Sequence, residues 1–513
     1  MTTSEEHSIK DKEHQQEDFT LSTSPKGTED DMEIQTHSVQ PSKHTVYNIH
    51  EKYILVLLAS GVAIWSSFGS PIYYPALQIL EGYFDISEEL VNISVVVYII
   101  CQGISPTFVA PFADRYGRRP VLMCCLLVFI GASIGLAVSN SYGLILALRC
   151  IQSFGISPAV AIACGITGDW TERHERDWFV GLTSGFTLFG QAFGSLFGAA
   201  LIAGWNWRAI FWFLAIGGGV SLVTITLVLP ETKRSIVGNG SITPPHLVAR
   251  APLLSIPYYR KLWDLDNPDY STLVDKSKTD FFASLRILSK PELAICLFNG
   301  AIHYALWTLQ LTSLSNELSR SYDYSVMKIG LCYIPAGIGG LCGSFMCGRF
   351  LDIVYKRLYK TFENNKKSGL IPEYEKFNIV KSRILVAVPY CLITDGFTLM
   401  YGWCLQKHVH VSTILISAFF ISNGCMAVVG VNSTLLIDLY PSNSSAATSC
   451  VNLTRCLTGA IFVACLTSMN KNITIGGTFT LMAALGITSA ILLYLPLKYG
   501  MKWSQAREEK KRL

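Results

Sequence analysis

Charged residues are scarce in this chain of 513 residues: 15% are Asp, Glu, Lys or Arg, while 50% are hydrophobic. A soluble protein usually has roughly a quarter of its residues charged, and here long stretches carry no charge at all. This distribution excludes a large soluble core and indicates a membrane protein. The net charge is only +4, and the basic residues lie between apolar runs, which argues against nucleic-acid binding.

Further absences exclude other classes of protein. The sequence has no phosphate-binding loop, nucleophile elbow or Cys-x-x-Cys spacing, so we expect no enzyme, no ATP-driven pump, no metal site and no cofactor. The 15 cysteines lie in or beside apolar segments and are interpreted as packing residues. No signal peptide opens the chain. Residues 1–50 carry ten acids, four lysines and no apolar run, which predicts a disordered acidic cytoplasmic tail.

Twelve segments have the length and composition of membrane-spanning helices, each with roughly 20 mostly apolar residues. Predicted spans 1–6 are 53–77, 89–112, 120–139, 142–166, 178–203 and 207–229. Predicted spans 7–12 are 292–316, 326–350, 382–403, 411–435, 447–469 and 474–497. Twelve spans put both termini on one side. That side is predicted to be cytoplasmic because its tails and loops then hold 34 of the 41 lysines and arginines.

A polar stretch divides the spans into two groups of six. The predicted layout is a six-helix bundle at 51–229, a cytoplasmic central loop at 230–291, a second six-helix bundle at 292–497 and a basic cytoplasmic tail at 498–513. A weak repeat relates the halves, since APFADRYGRR at 110–119 and GRFLD at 348–352 both place an Asp four residues after a small residue. Paired bundles of this kind hold a substrate near the membrane midplane in many secondary transporters.

The loop between spans 2 and 3 is the most informative motif, because Gly, Asp and three Arg occur together in it: Asp114, Arg115, Gly117, Arg118, Arg119. Gly117 allows a tight reversal between two helices, and Pro120 suits the first turn of the next helix. Asp114 can pair with the arginines or face a helix N-terminus. The pattern predicts a cytoplasmic loop that joins neighbouring helices.

Two further motifs lie inside spans. Arg149 in span 4, near Gln152, costs several kcal/mol unless it is paired or hydrated, so it is a functional candidate. Snorkelling to the headgroups is the alternative interpretation. Span 5 carries a row of glycines, from Gly181 to Gly198, which could equally form a groove for packing against another span.

These motifs resemble those of the major facilitator superfamily. The loop at 114–120 is similar to the family's signature loop, a cytoplasmic latch that breaks and reforms during alternating access, with Ala110 in place of the usual first Gly. The span 4 pattern resembles the family motif whose Arg is linked to proton coupling. Span 5 is similar to the antiporter motif that ends in Gly-Pro-x-x-Gly-Gly, except that Ser195 replaces the Pro and Ala199 replaces the last Gly.

Longer stretches resemble the quinidine-resistance group of fungal twelve-span drug:H+ antiporters, among them WNWRAIFWF at 205–213, LPETKRSIVGNGS at 229–241, KIGLCYIPAGIGG at 328–340 and LLIDLYPSNSS at 435–445. The resemblance implies an all-α integral membrane protein with the major facilitator fold. It also implies a monomer of the plasma membrane that exports quinidine, azoles and other amphiphiles in exchange for protons. A proton-coupled importer or facilitator of a cation, amino acid or polyamine stays open, because Ser195 departs from the antiporter motif and the cavity lacks an acid. A transport-inactive sensor is a third class, although the tails lack the length that such proteins usually have.

Aromatic faces and apolar walls hold amphipathic cations. Substrate-binding candidates lie on the spans that usually line the cavity in this fold: Tyr73, Tyr74, Tyr98, Gln102, Gln152, Phe189, Gln191, Asn299, Trp307, Gln310, Asn432 and Arg455. Arg455 could bind an anionic group or pair with Asp438. His303 is the only intramembrane histidine and a candidate proton carrier, with hydrogen-bonded packing as the alternative. Asp395 is the only deep acid, and it is predicted to be structural because span 9 is usually peripheral.

Overall fold

The computed structural model describes residues 45–171, 173–253, 256, 268–273, 283–369, 377–439, 444–500 and 503. Most of the two predicted tails, 1–50 and 498–513, lies outside these residues. All regular secondary structure in the described ranges is helical. Spans 1–6 are Ile49–Phe84, Glu88–Tyr116, Arg118–Val138, Tyr142–Trp170, Arg173–Gly204 and Arg208–Val228. Spans 7–10 are Pro291–Arg320, Val326–Lys367, Ile379–Gln406 and Val411–Leu439.

The last two spans form one continuous helical stretch. Ala447–Gly500 has 54 residues, and it is broken at Thr474, whose φ of 65° and ψ of 167° are not helical. The break separates span 11 from span 12. Of the described helical stretches, ten are both long and apolar enough to cross a membrane. One of these ten stretches, Ala447–Gly500, contains two spans, and span 7 is not among the ten. The described helices therefore form twelve spans, and the prediction of twelve is confirmed.

Span 7 is long enough to cross a bilayer, with 30 residues, but it is unusually polar. Its polar side chains are buried in the protein: Asn299, His303, Thr308, Gln310, Thr312, Ser313, Ser315 and Asn316. Lipid cannot satisfy such groups, so they must meet partners inside the protein. Span 7 therefore lies in the interior of the bundle, where its polar groups can serve a site.

Small residues bring the two halves close together along two seams. Span 2 meets span 11 where a Cβ on Gly103 would lie 2.7 Å from Cβ of Cys456. Span 5 meets span 8 where a Cβ on Gly337 would overlap the backbone of Ala192. Membrane helices pack through such small residues because they let the backbones approach. The alanines of span 5 thus serve the contact between the halves, while its glycines Gly190, Gly194 and Gly198 pack against span 1 of the same half.

Span 1 is interrupted in its outer part. The helix Ile49–Phe68 gives way to a 3₁₀ segment, Pro71–Ala76, before helix continues as Leu77–Phe84. Pro75 has no N–H, so the carbonyl four residues earlier loses its usual donor. In a membrane each freed carbonyl needs another partner.

Neighbouring spans supply side-chain donors to two carbonyls of the break, of which that of Tyr74 also accepts the N–H of Leu77. Ser195 Oγ on span 5 donates to the Pro71 carbonyl (2.8 Å), and Ser315 Oγ on span 7 donates to the Tyr74 carbonyl (2.9 Å). Ser195, which departs from the Pro of the antiporter motif, therefore has a structural task. It holds span 5 against the break in span 1.

The bundle has two ends that differ in charge. The basic end carries the turn at Gly117 and the segment that follows span 6. The opposite end carries the turns at 85–87 and 321–325. The positive-inside rule predicts that the basic end is cytoplasmic.

Candidate substrate and proton-coupling site

Ion pairs connect the loop after span 2 with its neighbours at the basic end. Asp114 Oδ1 lies 2.8 Å from Arg118 Nη2 and 2.9 Å from Lys233 Nζ. Arg118 Nε donates to Asp169 Oδ2 at the end of span 4 (3.2 Å). Asp114 therefore pairs with an arginine of its own loop, one of the two alternatives drawn from the sequence. The network joins spans 2, 3 and 4 to the segment after span 6.

Glu231 completes this network, and sequence reasoning missed it. Its buried carboxylate accepts the N–H groups of Arg118 (2.9 Å) and Arg119 (3.2 Å), which begin span 3, and those of the two residues that follow Glu231. A negative charge there suits the N-terminus of a helix. Burial raises the pKa of the Glu231 carboxyl, against the opposing effect of the four N–H donors. Gly117 has a φ of 109°, and a Cβ on it would overlap this carboxylate.

The other two arginines of the loop behave differently from Arg118. Arg119 is buried and its guanidinium donates to the carbonyls of Thr226 (2.6 Å) and Val248. Arg115 is exposed, and its guanidinium lies 5.5 Å from the ring centroid of its neighbour Tyr116. Arg115 makes no ion pair with another described residue, so the contacts between spans here rest on Asp114 and the two buried arginines with their partners.

Arg149 lies at full depth in the first half. Its side chain is 0% exposed, and its guanidinium is sandwiched between the rings of Tyr73 and Tyr98, 4.2 and 4.1 Å from their centroids. Nη1 donates to the Gly69 carbonyl (3.0 Å) and to Oε1 of Gln152 (2.9 Å). The snorkelling interpretation is wrong, because the charge is held by aromatic faces and a freed carbonyl of span 1.

Two donors of Arg149 remain open. Neither Nε nor Nη2 has a hydrogen-bond partner among the described residues, and in the same ranges no carboxylate forms an ion pair with this guanidinium. Tyr98 Oη also lacks a partner there. A buried cation without a counter-ion is costly, so this cluster of one arginine and two tyrosines is equipped to receive an acceptor group.

A narrow cleft lies between the halves. Spans 5, 7, 8 and 10 line it with these residues: Leu188, Gln191, Ala192, Ser195, Trp307, Leu311, Tyr333, Ala336, Gly337, Gly340, Leu341 and Met426. Gln191 and Trp307 are predicted substrate contacts that line this cleft. Tyr333 and Met426 were not predicted, although both lie on spans that usually line the cavity. Within the described ranges, the lining of the cleft has no charged side chain.

Phe189 does not line the cleft. It is 43% exposed and packs against Phe193, with ring centroids 4.8 Å apart. It lies to one side of the face that carries Ala192 and Ser195. The glycine face of span 5 turns towards span 1 and leaves Phe189 outside the cleft, so this structure gives its predicted contact with substrate no support.

Arg455 is held by neighbours other than the predicted acid. Its Nε and Nη2 donate to Asn452 Oδ1 (3.1 and 2.8 Å), and its guanidinium lies 5.0 Å from the centroid of Tyr304. Asp438 instead pairs with Arg383, whose Nη2 lies 2.8 Å from Oδ2. The predicted pairing of Arg455 with Asp438 is therefore wrong.

Three other candidates lie apart from the cleft. Asn432 lines a second, smaller pocket with Arg455. Gln310 is buried, and its Oε1 accepts a hydrogen bond from Ser422 Oγ (3.3 Å). Gln102 is half-buried, and its carbonyl accepts a hydrogen bond from an amide of span 11 (2.7 Å). The Gln310 side chain and the Gln102 backbone thus support contacts between spans, and the structure does not bring the three residues into one site with Trp307.

His303 and Asp395 come together in the middle of the second half. His303 Nε2 lies 3.9 Å from Asp395 Oδ1, and His303 Nδ1 lies 2.9 Å from the Asn299 carbonyl. Asn299, a predicted substrate contact, donates from Nδ2 to Ser489 Oγ of span 12 (2.9 Å) and points away from the cleft. Both ionisable groups were recognised separately in the sequence, but nothing in it indicated that they face each other.

The end opposite the basic end is closed by ion pairs between the halves. Arg320 Nη2 at the end of span 7 lies 2.7 Å from Glu81 Oε1, and Arg320 Nη1 pairs with Glu88. Lys471 at the end of span 11 pairs with Glu89. The acids belong to the first half and the bases to the second, so these pairs hold the halves together at this end.

Comparison with known proteins agrees with this architecture. Residues 56–362 match the model of the Major Facilitator Superfamily. Multidrug transporter AQR1 of Candida glabrata is 47% identical over 492 residues, which cover 95% of this chain and 82% of that protein. Quinidine resistance protein 1 of Saccharomyces cerevisiae is 41% identical over 474 residues, with 88% and 84% covered. MFS antiporter QDR1 of Candida albicans is 40% identical over 455 residues, with 88% and 89% covered.

The fold is similar to that of the xylose transporter XylE from E. coli in a partially occluded inward open conformation. The TM-score is 0.61 at 14% identity, over 86% of this chain and 97% of that one. At this identity the likeness concerns the fold alone. The sequence relatives and the matched family model establish more: this chain is a multi-pass membrane transporter, not an enzyme, and it belongs to the Major Facilitator Superfamily, in the group of the fungal quinidine-resistance proteins.

Proposed function

We propose that this protein exports drugs and other amphipathic or cationic organic molecules across the plasma membrane, in exchange for protons, by alternating access. The observation that carries the proposal is the cleft between the halves, because both halves contribute to it and its walls are apolar and aromatic. Relatives of 40–47% identity are named as multidrug transporters, a quinidine resistance protein and an antiporter.

The cleft lining suits molecules that combine an apolar body with a cationic centre. Trp307 offers an indole face, which attracts a cation through its ring quadrupole. Gln191 and Ser195 offer a few uncharged polar groups. Since the described residues of the walls carry no fixed charge, binding rests on area and aromatic contact, which tolerates many different shapes.

The ion pairs of Arg320 and Lys471 support loading from the cytoplasm. On the predicted topology the end they close faces outward. A substrate can then enter only from the basic end and leave after these pairs separate. Alternating access of this kind is a rocking of one six-helix bundle against the other.

Arg149 supports coupling to protons. Its charge is fully buried, and its two open donors need an acceptor at some stage of the cycle. Removing the charge should therefore uncouple transport more strongly than it affects folding, because the guanidinium has no ion pair within the described residues whose loss would strand a buried acid.

Purified protein in liposomes with an imposed pH gradient tests the proposal. The probe is a permanently charged quaternary derivative of quinidine, because quinidine itself is a weak base and accumulates passively in an acidic lumen. Antiport predicts accumulation of the probe on the acidic side. Protein-free liposomes give the background, and accumulation on the alkaline side would contradict antiport.

An importer or facilitator of an amino acid is the second candidate, and one observation favours it. The open Nε and Nη2 of Arg149 suit a carboxylate, which a guanidinium binds through two parallel hydrogen bonds. In the same liposomes, labelled amino acids that accumulate on the alkaline side would support this candidate. Failure of every amino acid to compete with the quinidine derivative would exclude it.

A further inference from the structure

A buried ionisable pair lies in the second half, outside both the cleft and the Arg149 cluster. His303 on span 7 is 0% exposed and Asp395 on span 9 is 1% exposed. Within the described residues, His303 Nε2 and both carboxylate oxygens of Asp395 lack hydrogen-bond partners. Burial of such groups is costly unless they bind each other or a further species.

The hydrogen bond to the Asn299 carbonyl determines which ring nitrogen of His303 carries the hydrogen, and so whether Nε2 faces Asp395 as a donor or an acceptor. The Asn299 carbonyl, 2.9 Å from Nδ1, can only accept, so Nδ1 carries the hydrogen. In a neutral ring Nε2 then directs its lone pair at Asp395, and an ionised carboxylate also only accepts. Two acceptors that face each other need a proton between them, on either Nε2 or the carboxyl oxygen.

Charge balance sets the number of protons at one. With one proton the pair is neutral overall, either as imidazolium and carboxylate or as imidazole and carboxylic acid. Without it the net charge is −1, and with two protons it is +1. A medium of low dielectric constant favours the neutral state, because an uncompensated charge in it is poorly solvated.

Among the described residues, none brings a competing charge to the pair. The other titratable groups that face it are the thiols of Cys391 on span 9 and Cys425 on span 10. Span 12 contributes Ser489 and Gly486, and a Cβ on Gly486 would overlap the Asp395 carboxyl. No Lys, Arg or Glu of the described chain interacts with Asp395. The space that Gly486 leaves is therefore filled by a carboxyl group whose basic partner among the described residues is His303.

We propose that His303 and Asp395 share one proton and form the proton-carrying site of the transport cycle, an inference that rests on the proposed exchange for protons. Uptake of a proton from the outer side changes the net charge of the pair from −1 to zero. Release of the proton to the cytoplasm restores the charge of −1, so the proton is the only species transferred. The 3.9 Å gap exceeds hydrogen-bond length, and the shared proton draws spans 7 and 9 together. Trp307 lies one turn along span 7 from His303, so substrate in the cleft acts on the same helix.

Two variants test the pair in liposomes. Asp395→Asn and His303→Gln preserve shape while removing the proton site. Both should still exchange labelled for unlabelled quinidine derivative at equal pH, while accumulation driven by a pH gradient falls to that of protein-free liposomes. Asp438→Asn is the matched control, because it also removes an acid from the second half, and it should keep both activities. Gradient-driven accumulation in both Asp395→Asn and His303→Gln would overturn the proposal that this pair carries the proton.

Infrared titration separates this inference from the proposed function, because it needs no transport. As the pH of the wild-type protein is lowered, either the C=O stretch of a protonated carboxyl or the ring bands of an imidazolium should grow, and this change should be missing from Asp395→Asn. A wild type that fails to accumulate substrate refutes proton exchange, yet a titrating band lost in the variant still supports the proton site. Identical bands in the two proteins would overturn the site even if exchange is proton-driven. Should Asp395→Asn fail to fold, His303→Gln must shift the midpoint of the infrared titration relative to wild type. An unchanged midpoint would overturn the proposal that the two residues share a proton.

Discussion

Replacing Arg320 with Gln should open the end of the bundle that this structure closes. Arg320 Nη2 lies 2.7 and 2.9 Å from the two carboxylate oxygens of Glu81, and Nη1 pairs with Glu88. Both acids belong to the first half and Arg320 to the second. The pairs therefore contribute free energy only while the halves touch at this end, and their loss acts on the equilibrium between closed and open states.

The size of the shift between closed and open states follows from how exposed the Arg320 ion pairs are to solvent. The Arg320 side chain is 42% exposed, and an exposed ion pair contributes about 0.2–1 kcal/mol. Two pairs amount to about 0.4–2 kcal/mol, which changes the ratio of closed to open molecules by about 2- to 30-fold. At about 1 M salt the Debye length falls to about 3 Å, so the difference between variant and wild type should shrink.

Hydrogen–deuterium exchange of the protein in lipid nanodiscs measures this shift. Amides at the beginning of span 2 and the end of span 7 should exchange faster in Arg320→Gln than in wild type, while those around Gly117 at the basic end stay unchanged. Lys407→Gln is the matched control, since Lys407 lies at the same end and forms no ion pair with a described residue. The double change Glu81→Arg with Arg320→Glu restores opposite charges in the first pair but places a carboxylate beside Glu88, so exchange should return only part of the way towards the wild-type rate.

Equal exchange in wild type and Arg320→Gln at low salt would refute the idea that these pairs hold the end closed. An equal increase in Lys407→Gln would attribute the effect to net charge rather than to pairing. A shift that persists unchanged in high salt would contradict its electrostatic origin, since exposed pairs are screened.

Three further substitutions have expected outcomes. Arg149→Ala should abolish accumulation driven by a pH gradient without lowering the amount of protein at the cell surface, and normal accumulation would remove Arg149 from the coupling site. Ser195→Ala leaves a freed carbonyl of span 1 without its donor and should lower the free energy of unfolding by about 1–3 kcal/mol, seen as a lower thermal midpoint that Ser195→Thr restores. Gly117→Ala combines a left-handed backbone, worth about 1–3 kcal/mol of strain, with a collision against Glu231. It should therefore destabilise the protein far more than Gly219→Ala, where a Cβ meets open space.

The span count and the basic-end loop could be predicted from sequence because their physical causes are local. A run of roughly 20 apolar residues must cross the bilayer wherever it lies in the chain. The reversal at Gly117 requires a positive φ, and a glycine in the sequence indicates a position where the backbone can adopt one. Arg149 stood out because a charge inside an apolar run is costly in any packing arrangement. None of these inferences needed to know which helix lies beside which.

Side-chain direction could not be predicted, because it depends on packing. An apolar residue on a membrane helix is stable against lipid or protein, so hydrophobicity did not reveal that Phe189 lies outside the cleft. The pairing of His303 with Asp395 depends on how spans 7 and 9 pack, and the two residues are far apart in the chain. Polarity was a better guide than hydrophobicity, since the buried polar residues of span 7 must all find partners inside the protein.

The first two freed carbonyls of span 1 are held by its own half. Arg149 on span 4 donates to the Gly69 carbonyl, and Ser195 on span 5 donates to the Pro71 carbonyl. Both donors are buried, and both carbonyls lie at the beginning of the break. The inner part of span 1 is thereby tied to the first half.

The outer part of span 1 is tied to the second half instead. The Tyr74 carbonyl accepts a hydrogen bond from Ser315, and the Tyr74 ring stacks on Tyr333 with centroids 6.3 Å apart and planes 10° apart. When the halves separate at this end, either these contacts break or span 1 bends between Pro71 and Tyr74. A 3₁₀ segment has poorer hydrogen-bond geometry than an α-helix and bends at lower cost. Arg149 donates to the carbonyl of Gly69, two residues before Pro71. A bend between Pro71 and Tyr74 therefore changes which acceptors Nε and Nη2 of Arg149 can reach. This connects the buried charge with the closing of the end that carries Arg320.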